Sequence, residues 1–144
     1  IKEIGYKYQM TDIGASILIE ALKEFNKISN HRKKIFKIYL KKFKNNKYIK
    51  IVNKNGNFTH SHWIFTIITD HKDYLQKGLR MVNIESNQVH FRNDRYSIFK
   101  KFIKNKKFPN MNLIQNKYLV LPLHTKMSIS DAVKVANTVN KILS

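Results

Sequence analysis

Arg92 and Arg95 enclose Asn93 and Asp94 in the run Arg92-Asn93-Asp94-Arg95-Tyr96. Two guanidinium groups so close can grip a diphosphate, because arginine offers paired N–H donors to anionic oxygens. The same run can equally be a surface charge cluster closed through Asp94. His60 and His62 sit one residue apart and would form a metal pair if a strand set both on one face. No carboxylate or cysteine accompanies them, so no metal site is assigned. The chain has no cysteine at all, which excludes a disulfide scaffold, a Cys zinc site and a thiol nucleophile. Asp and Glu total only 9, too few to favour paired-carboxylate catalysis. Gly5, Gly14, Gly56 and Gly78 are isolated, so there is no glycine-rich phosphate loop. Lysines abound, but nothing singles one out as a base, and no catalytic residue is assigned.

Lys and Arg total 28, which gives a net charge of +19 and a pI near 10.1. Such a balance suits a polyanion-binding surface. The excess is nevertheless almost all Lys, mixed with Asn and Ile in every segment, as an A/T-rich genome would produce. Only Arg32, Arg80, Arg92 and Arg95 are arginines, and the aromatic residues read as core rather than as partners of Arg. A non-catalytic basic module that binds nucleic acid or another polyanion is therefore the second reading, not the first.

The elements that must position these residues follow from periodicity. Thr11 or Asp12 can cap a helix over about 12–28, with Leu18, Leu22, Phe25 and Ile28 at helical spacing. Ile35, Tyr39 and Phe43 continue the pattern after a polar stretch at 29–34, giving either a second helix over about 30–44 or one long, bent helix. Residues 48–52 form a short strand, and 53–59 a loop around Gly56. The run from Trp63 to Thr69 is apolar on both faces, as a central strand requires. Asp70 caps a helix over 71–82, Asn83 ends it in a left-handed conformation, and 87–91 is another strand. A short helix or turn spans 96–103, Pro109 interrupts, and a helix covers 111–117. An extended piece at 120–123 and a capping box at Ser128-Ile129-Ser130-Asp131 lead to a last helix ending near 143. The expected class is α+β: helices on a small three- to four-stranded, mostly antiparallel sheet, preceded by a long helix. Residues 1–45 would be the leading loop and helix, and 46–144 the α+β domain. No run approaches the roughly 18 apolar residues of a membrane helix, so no membrane contact is expected and a cytoplasmic location is the default.

Three segments carry a resemblance. They are Gly5-Tyr6-Lys7-Tyr8-Gln9-Met10-Thr11-Asp12-Ile13, then Gln88-Val89-His90-Phe91, then Tyr118-Leu119-Val120-Leu121-Pro122-Leu123. In this order the chain resembles the C-terminal part of the DegT/DnrJ/EryC1/StrS family of sugar-nucleotide aminotransferases, which depend on pyridoxal phosphate. The resemblance covers nearly the whole chain. It implies the small domain of a fold-type-I aminotransferase, with the cofactor-holding lysine upstream of Gly5 and so outside this chain. The isolated chain would then be inactive and would not bind the cofactor covalently. In the family an Asn of the first segment reaches the cofactor phosphate of the other subunit of a homodimer. Here Lys7 stands where Asn is usual and Gln9 where Arg is usual; charge and amide donors suit both to a phosphate. The family's Val-His-Tyr becomes Val89-His90-Phe91, and the resemblance places His90 at the rim near the nucleotide-sugar substrate, with Arg92 and Arg95 beside it. The Leu-Pro-Leu segment is structural. The implied activity is amino transfer from glutamate to a keto-sugar nucleotide in surface-polysaccharide or glycan biosynthesis.

Overall fold

The computed structural model describes residues 8–52, 60–104 and 106–144. Lys7 and the loop expected at 53–59 lie outside the described residues. Helix α1 spans Asp12–Phe43. Thr11, not Asp12, caps it: the threonine hydroxyl accepts from the Gly14 N–H at 3.2 Å. At 32 residues it is roughly 48 Å long. The polar stretch at 29–34 does not interrupt it, because that stretch holds no Gly or Pro to break the backbone ladder. His31 uses this stretch to reach across the fold, its Nε2 lying 2.8 Å from the Met127 carbonyl oxygen.

Strands β1 (Lys50–Ile51), β2 (Phe65–Ile68) and β3 (Tyr118–Leu121) form an antiparallel sheet in the order β1-β2-β3. Phe65 faces Leu121, and Ile68 faces Tyr118 on one side and Lys50 on the other. The strand with apolar residues on both faces is thus the central one. The strand expected at 87–91 is reduced to one bridge, Asn87 to Val120, with the Val120 N–H donating to the Asn87 carbonyl at 2.9 Å. Beyond it, side chains take over from the ladder. Gln88 Nε2 donates to the Gln115 carbonyl, and the Tyr118 hydroxyl donates to the His90 carbonyl at 2.7 Å.

Helix α2 runs Lys72–Met81. Asp70 does not cap it; the carboxylate pairs instead with Lys117 at 2.6 Å. Asn83 has φ 58° and ends the helix as expected. The Ile84 N–H reaches the Leu79 carbonyl and the Asn83 N–H the Arg80 carbonyl, which satisfies two of the last helical acceptors. Helix α3 is a single turn, Lys100–Ile103, preceded by two 3-10 turns, Asn93–Arg95 and Ser97–Phe99. Pro109 starts helix α4, Pro109–Ile114, two residues ahead of the expected start, because a proline at the first helical position forfeits no hydrogen bond. Helix α5 spans Ile129–Ile142 and buries Ala132, Val135, Ala136 and Val139.

The core lies on one face of the sheet. Phe65 and Ile67 of β2 and Leu119 and Leu121 of β3 meet the second half of α1, which buries Ile35, Phe36, Tyr39 and Phe43. Tyr39 resolves its polar end by donating to the Pro122 carbonyl at 2.8 Å. Asn140 of α5 donates to the Lys42 carbonyl at 3.0 Å, closing the end of α1 onto α5. Gly78 permits the close approach of α2 to α5, since a Cβ there would stand 2.9 Å from Ile142 Cδ1. Among the described residues no helix is long and apolar enough to cross a membrane.

The capping box of α5 gives a first prediction. The Asp131 N–H donates to Ser128 Oγ at 3.0 Å, and Asp131 Oδ2 accepts from the Ser128 N–H at 2.9 Å. Ser128→Ala should destabilise the chain by about 1 kcal/mol in thermal or urea denaturation. The hydroxyl and N–H of Ser128 hold the Asp131 carboxyl below its ordinary range. A carboxylate with a lowered folded-state pKa stabilises above its unfolded value and loses that contribution as pH falls through the folded one. The melting-temperature gap between the wild type and Asp131→Asn should therefore shrink towards zero in acid, and a gap independent of pH would refute the assignment.

Candidate functional site

Arg92 is held from four directions by its own chain. Its Nε and Nη2 grip Asp94 at 2.8 and 2.6 Å, while Nη1 reaches Asn112 at 2.6 Å and Gln115 at 2.8 Å. Only 8% of its side chain is exposed. The hydrogen bond to Asp94 raises the guanidinium's affinity for its proton and holds the Asp94 carboxyl below its usual range. Four of its five N–H donors are thus spent on tying the 92–95 turn to α4 and the residue after it. Of the two readings the run allows, a cluster closed through Asp94 describes Arg92. Arg95 is exposed and makes one long contact, Nη2 to Gln115 Oε1 at 3.4 Å, so its guanidinium is available to an anion.

His90 is exposed, and its ring lies 5.9 Å from that of Trp63, tilted by 48°. His90 and Arg92 both border a cavity of about 960 Å³ on the sheet face opposite the core. Its wall is mainly apolar, with Phe91, Tyr96, Phe99 and Ile114. Gln9 is exposed ahead of α1 and, among the described residues, makes no side-chain hydrogen bond. The structure therefore brings His90, Arg92 and Arg95 into one region and leaves Gln9 on another element. A lone amide cannot clasp a phosphate dianion, so the described residues do not by themselves build a pyridoxal phosphate site.

The His60 and His62 rings do lie together, 5.0 Å apart, each against Phe36. His62 has φ 52°, and its backbone N–H donates to His60 Nδ1 at 2.8 Å. Burial, then the neighbouring His60 and Lys33, push the His62 pKa down. Among the described residues no group of three or more His, Cys, Asp or Glu gathers for a metal ion.

Sequence reasoning missed Trp63. Its place at the head of an apolar run assigns it to a strand, yet it precedes β2 and is 56% exposed. It opens a second cavity, of about 730 Å³, that also touches Ser86, Pro122, His124, Lys126 and Lys134. These residues come from four separate segments, so no local motif could have gathered them.

A sequence profile of the DegT/DnrJ/EryC1/StrS aminotransferase family matches residues 1–140. An uncharacterised protein of Methanocaldococcus jannaschii is 31% identical over 153 residues, covering 100% of this chain and 39% of that protein. The UDP-4-amino-4,6-dideoxy-N-acetyl-beta-L-altrosamine transaminase of Campylobacter jejuni is 26% identical over 146 residues, covering 98% of this chain and 39% of that enzyme. The solved sugar aminotransferase CalS13 of Micromonospora echinospora superposes with a TM-score of 0.87 at 15% identity, over 95% of this chain and 37% of that one; at this identity the likeness concerns the fold. The chain spans about two fifths of the length of the curated relatives it matches. It has the α+β fold of these enzymes along nearly its whole length, and it belongs to the DegT/DnrJ/EryC1/StrS aminotransferase family.

Proposed function

We propose that this chain is the C-terminal part of a pyridoxal phosphate-dependent sugar-nucleotide aminotransferase. The complete protein transfers an amino group from glutamate to a keto-sugar nucleotide, as a homodimer in the cytoplasm, for surface-polysaccharide or glycan synthesis. The observation that carries this reading is a family match over residues 1–140 in a chain that spans only 39% of its relatives' length. A related transaminase of Campylobacter jejuni acts on a UDP-linked amino sugar, which favours a uridine diphosphate sugar here too.

In the complete protein the cofactor supplies the electron sink for amino transfer. This chain contributes walls rather than the reactive amine. Lys7 and Gln9 lie on the segment that would reach a neighbouring subunit's cofactor phosphate. His90 and Arg95 stand exposed at the substrate rim, and Arg92 fixes the turn that presents Arg95. The first half of α1 supports the reading independently. Leu18, Leu22 and Phe25 share one helical face and are roughly half to two-thirds exposed, an apolar stripe suited to packing against the part of the protein that bears the cofactor.

The test is reconstitution. The complete protein should bind pyridoxal phosphate and form 2-oxoglutarate from glutamate when given a UDP-linked 4-keto sugar, while the 144-residue chain alone gives no turnover. A complete protein that takes up no pyridoxal phosphate would overturn the proposal.

A further inference from the structure

Arg32 lies in the middle of α1, seven positions after Phe25 and seven before Tyr39. Seven residues are close to two helical turns, so all three share a face. Ahead of Arg32 that face is the uncovered stripe of Leu18, Leu22 and Phe25; after it the face enters the core with Phe36 and Tyr39. A guanidinium thus stands where the apolar surface passes from open to covered. It is partly buried, its Nε is buried without a hydrogen-bond partner, and among the described residues it forms no ion pair. Arginine cannot shed its charge to relieve such a position.

Among the described residues no acid is left to answer it. Helical geometry sets Ile28, Ser29, Ile35 and Phe36 beside Arg32. Glu20 and Glu24 pair with Lys23 and Lys27, Asp70 with Lys117, Asp73 with Lys72 and Asp94 with Arg92. Asp131 accepts from Ser128, and Glu85 from Asn87. Asp12, at the opening of α1, is about 30 Å up the helix. Glu3 lies outside the described residues. Lys33 adjoins Arg32, and the rings packed on Phe36 one turn further on are those of His60 and His62.

Water serves the guanidinium while the stripe is open. A surface that covers Leu18, Leu22 and Phe25 removes that water, and a charge taken from water unpaired is strongly destabilising. We infer that the surface covering the α1 stripe, in the part of the protein outside these 144 residues, carries a carboxylate side chain that pairs with Arg32. The guanidinium fork matches a carboxylate through two parallel hydrogen bonds. Such a pair fixes register, where apolar contact alone would let the two surfaces slide. The chain spans 39% of its relatives' length, which leaves the larger part of such a protein to supply the acid. The inference rests on the aminotransferase reading above and deepens it by naming the charge that sets how the two parts meet.

The test compares one variant in two settings. In the 144-residue chain Arg32→Leu should keep or raise the melting temperature, because it removes an unpaired charge from an apolar face. In the complete protein the same change leaves the opposing carboxylate buried and unpaired. Hydrogen-exchange protection of residues 16–27 should then fall about a hundredfold. Arg32→Lys keeps the charge, loses the fork and should recover part of that protection. Protection unchanged or increased by Arg32→Leu in the complete protein would mean that an apolar surface meets the arginine, and overturns the inference. Equal destabilisation in both settings overturns it too, by making Arg32 a structural residue of the lone chain. Inorganic phosphate that raises the melting temperature of the 144-residue chain, but not of its Arg32→Leu variant, would assign the position to a small anion instead. A 144-residue chain that sediments as a dimer, and as a monomer after Arg32→Leu, would assign it to a second copy; either result refutes the inference. Turnover measured on the same proteins keeps the two readings apart. An active enzyme whose protection ignores Arg32→Leu sinks the inference and spares the proposed function. Loss of protection in a protein without transaminase activity does the reverse.

Discussion

Phe65→Ala should cost about 3–5 kcal/mol of folding stability, the usual range for removing a buried phenylalanine from a core. Phe65 is fully buried on the central strand, and its ring centroid lies 4.9 Å from that of Phe36, 4.8 Å from Tyr39 and 6.0 Å from Phe43. Truncation would leave a cavity between β2 and α1 that neither can close. The sheet holds β2 on both edges, and α1 is tied at its end through Asn140. Each aromatic contact adds to the area term, because edge and tilted ring pairs contribute about 0.5–1.5 kcal/mol beyond burial. A domain has only about 5–15 kcal/mol in total, so the variant should sit near its unfolding threshold at 25 °C. Thermal denaturation should show a drop of order 10 °C or more. Thr66→Ala, one residue along on the opposite face of β2, is the control and should lose less than about 1 kcal/mol. A Phe65→Ala chain as stable as that control would mean that the aromatic cluster is not the core.

The position of Phe65 was readable because it depends on local pattern. A run with apolar residues on both faces needs cover on both, and β2 is central. Asn83 and the Ser128–Asp131 box were readable for the same kind of reason, since backbone conformation and capping are decided within a few residues. What failed depended on distant partners. Residues 87–91 have strand-like composition, but pairing with β3 ends after Asn87, and the next anchors come from Gln115 and Tyr118. The run at 92–95 admitted a diphosphate clamp or a closed charge cluster. Asn112 and Gln115, 20 and 23 residues further on, complete the cage around Arg92. Trp63 shows the same limit: the company it keeps in sequence assigns it to the central strand, yet in space it precedes β2 and is 56% exposed.

Helix α1 carries the lesson furthest, and it yields the second large effect. Leu18, Leu22 and Phe25 are helically spaced (i, i+4, i+7), as are Ile35, Tyr39 and Phe43 (i, i+4, i+8), so sequence assigns both triplets to an inward face. In the structure the second triplet is fully inside, and the first is roughly half to two-thirds exposed. Hydrogen exchange on the 144-residue chain should therefore divide the helix. Amides of residues 16–27 have little tertiary packing to protect them, and a helix of that length is marginal by itself in water. The Thr11 cap and the Glu20–Lys23 and Glu24–Lys27 pairs are all exposed, and exposed pairs add little. Amides of residues 36–43 should open only with the core. The expected contrast is about a thousandfold in protection, equivalent to roughly 4 kcal/mol of opening free energy at 1.4 kcal/mol per decade. In the complete protein the same 16–27 amides should become protected, because the apolar stripe that leaves them open here would then have a surface to cover it. Uniform protection along α1 in the isolated chain at low micromolar concentration would show that the stripe is already covered, and the proposed docking against the remainder of the enzyme would fail.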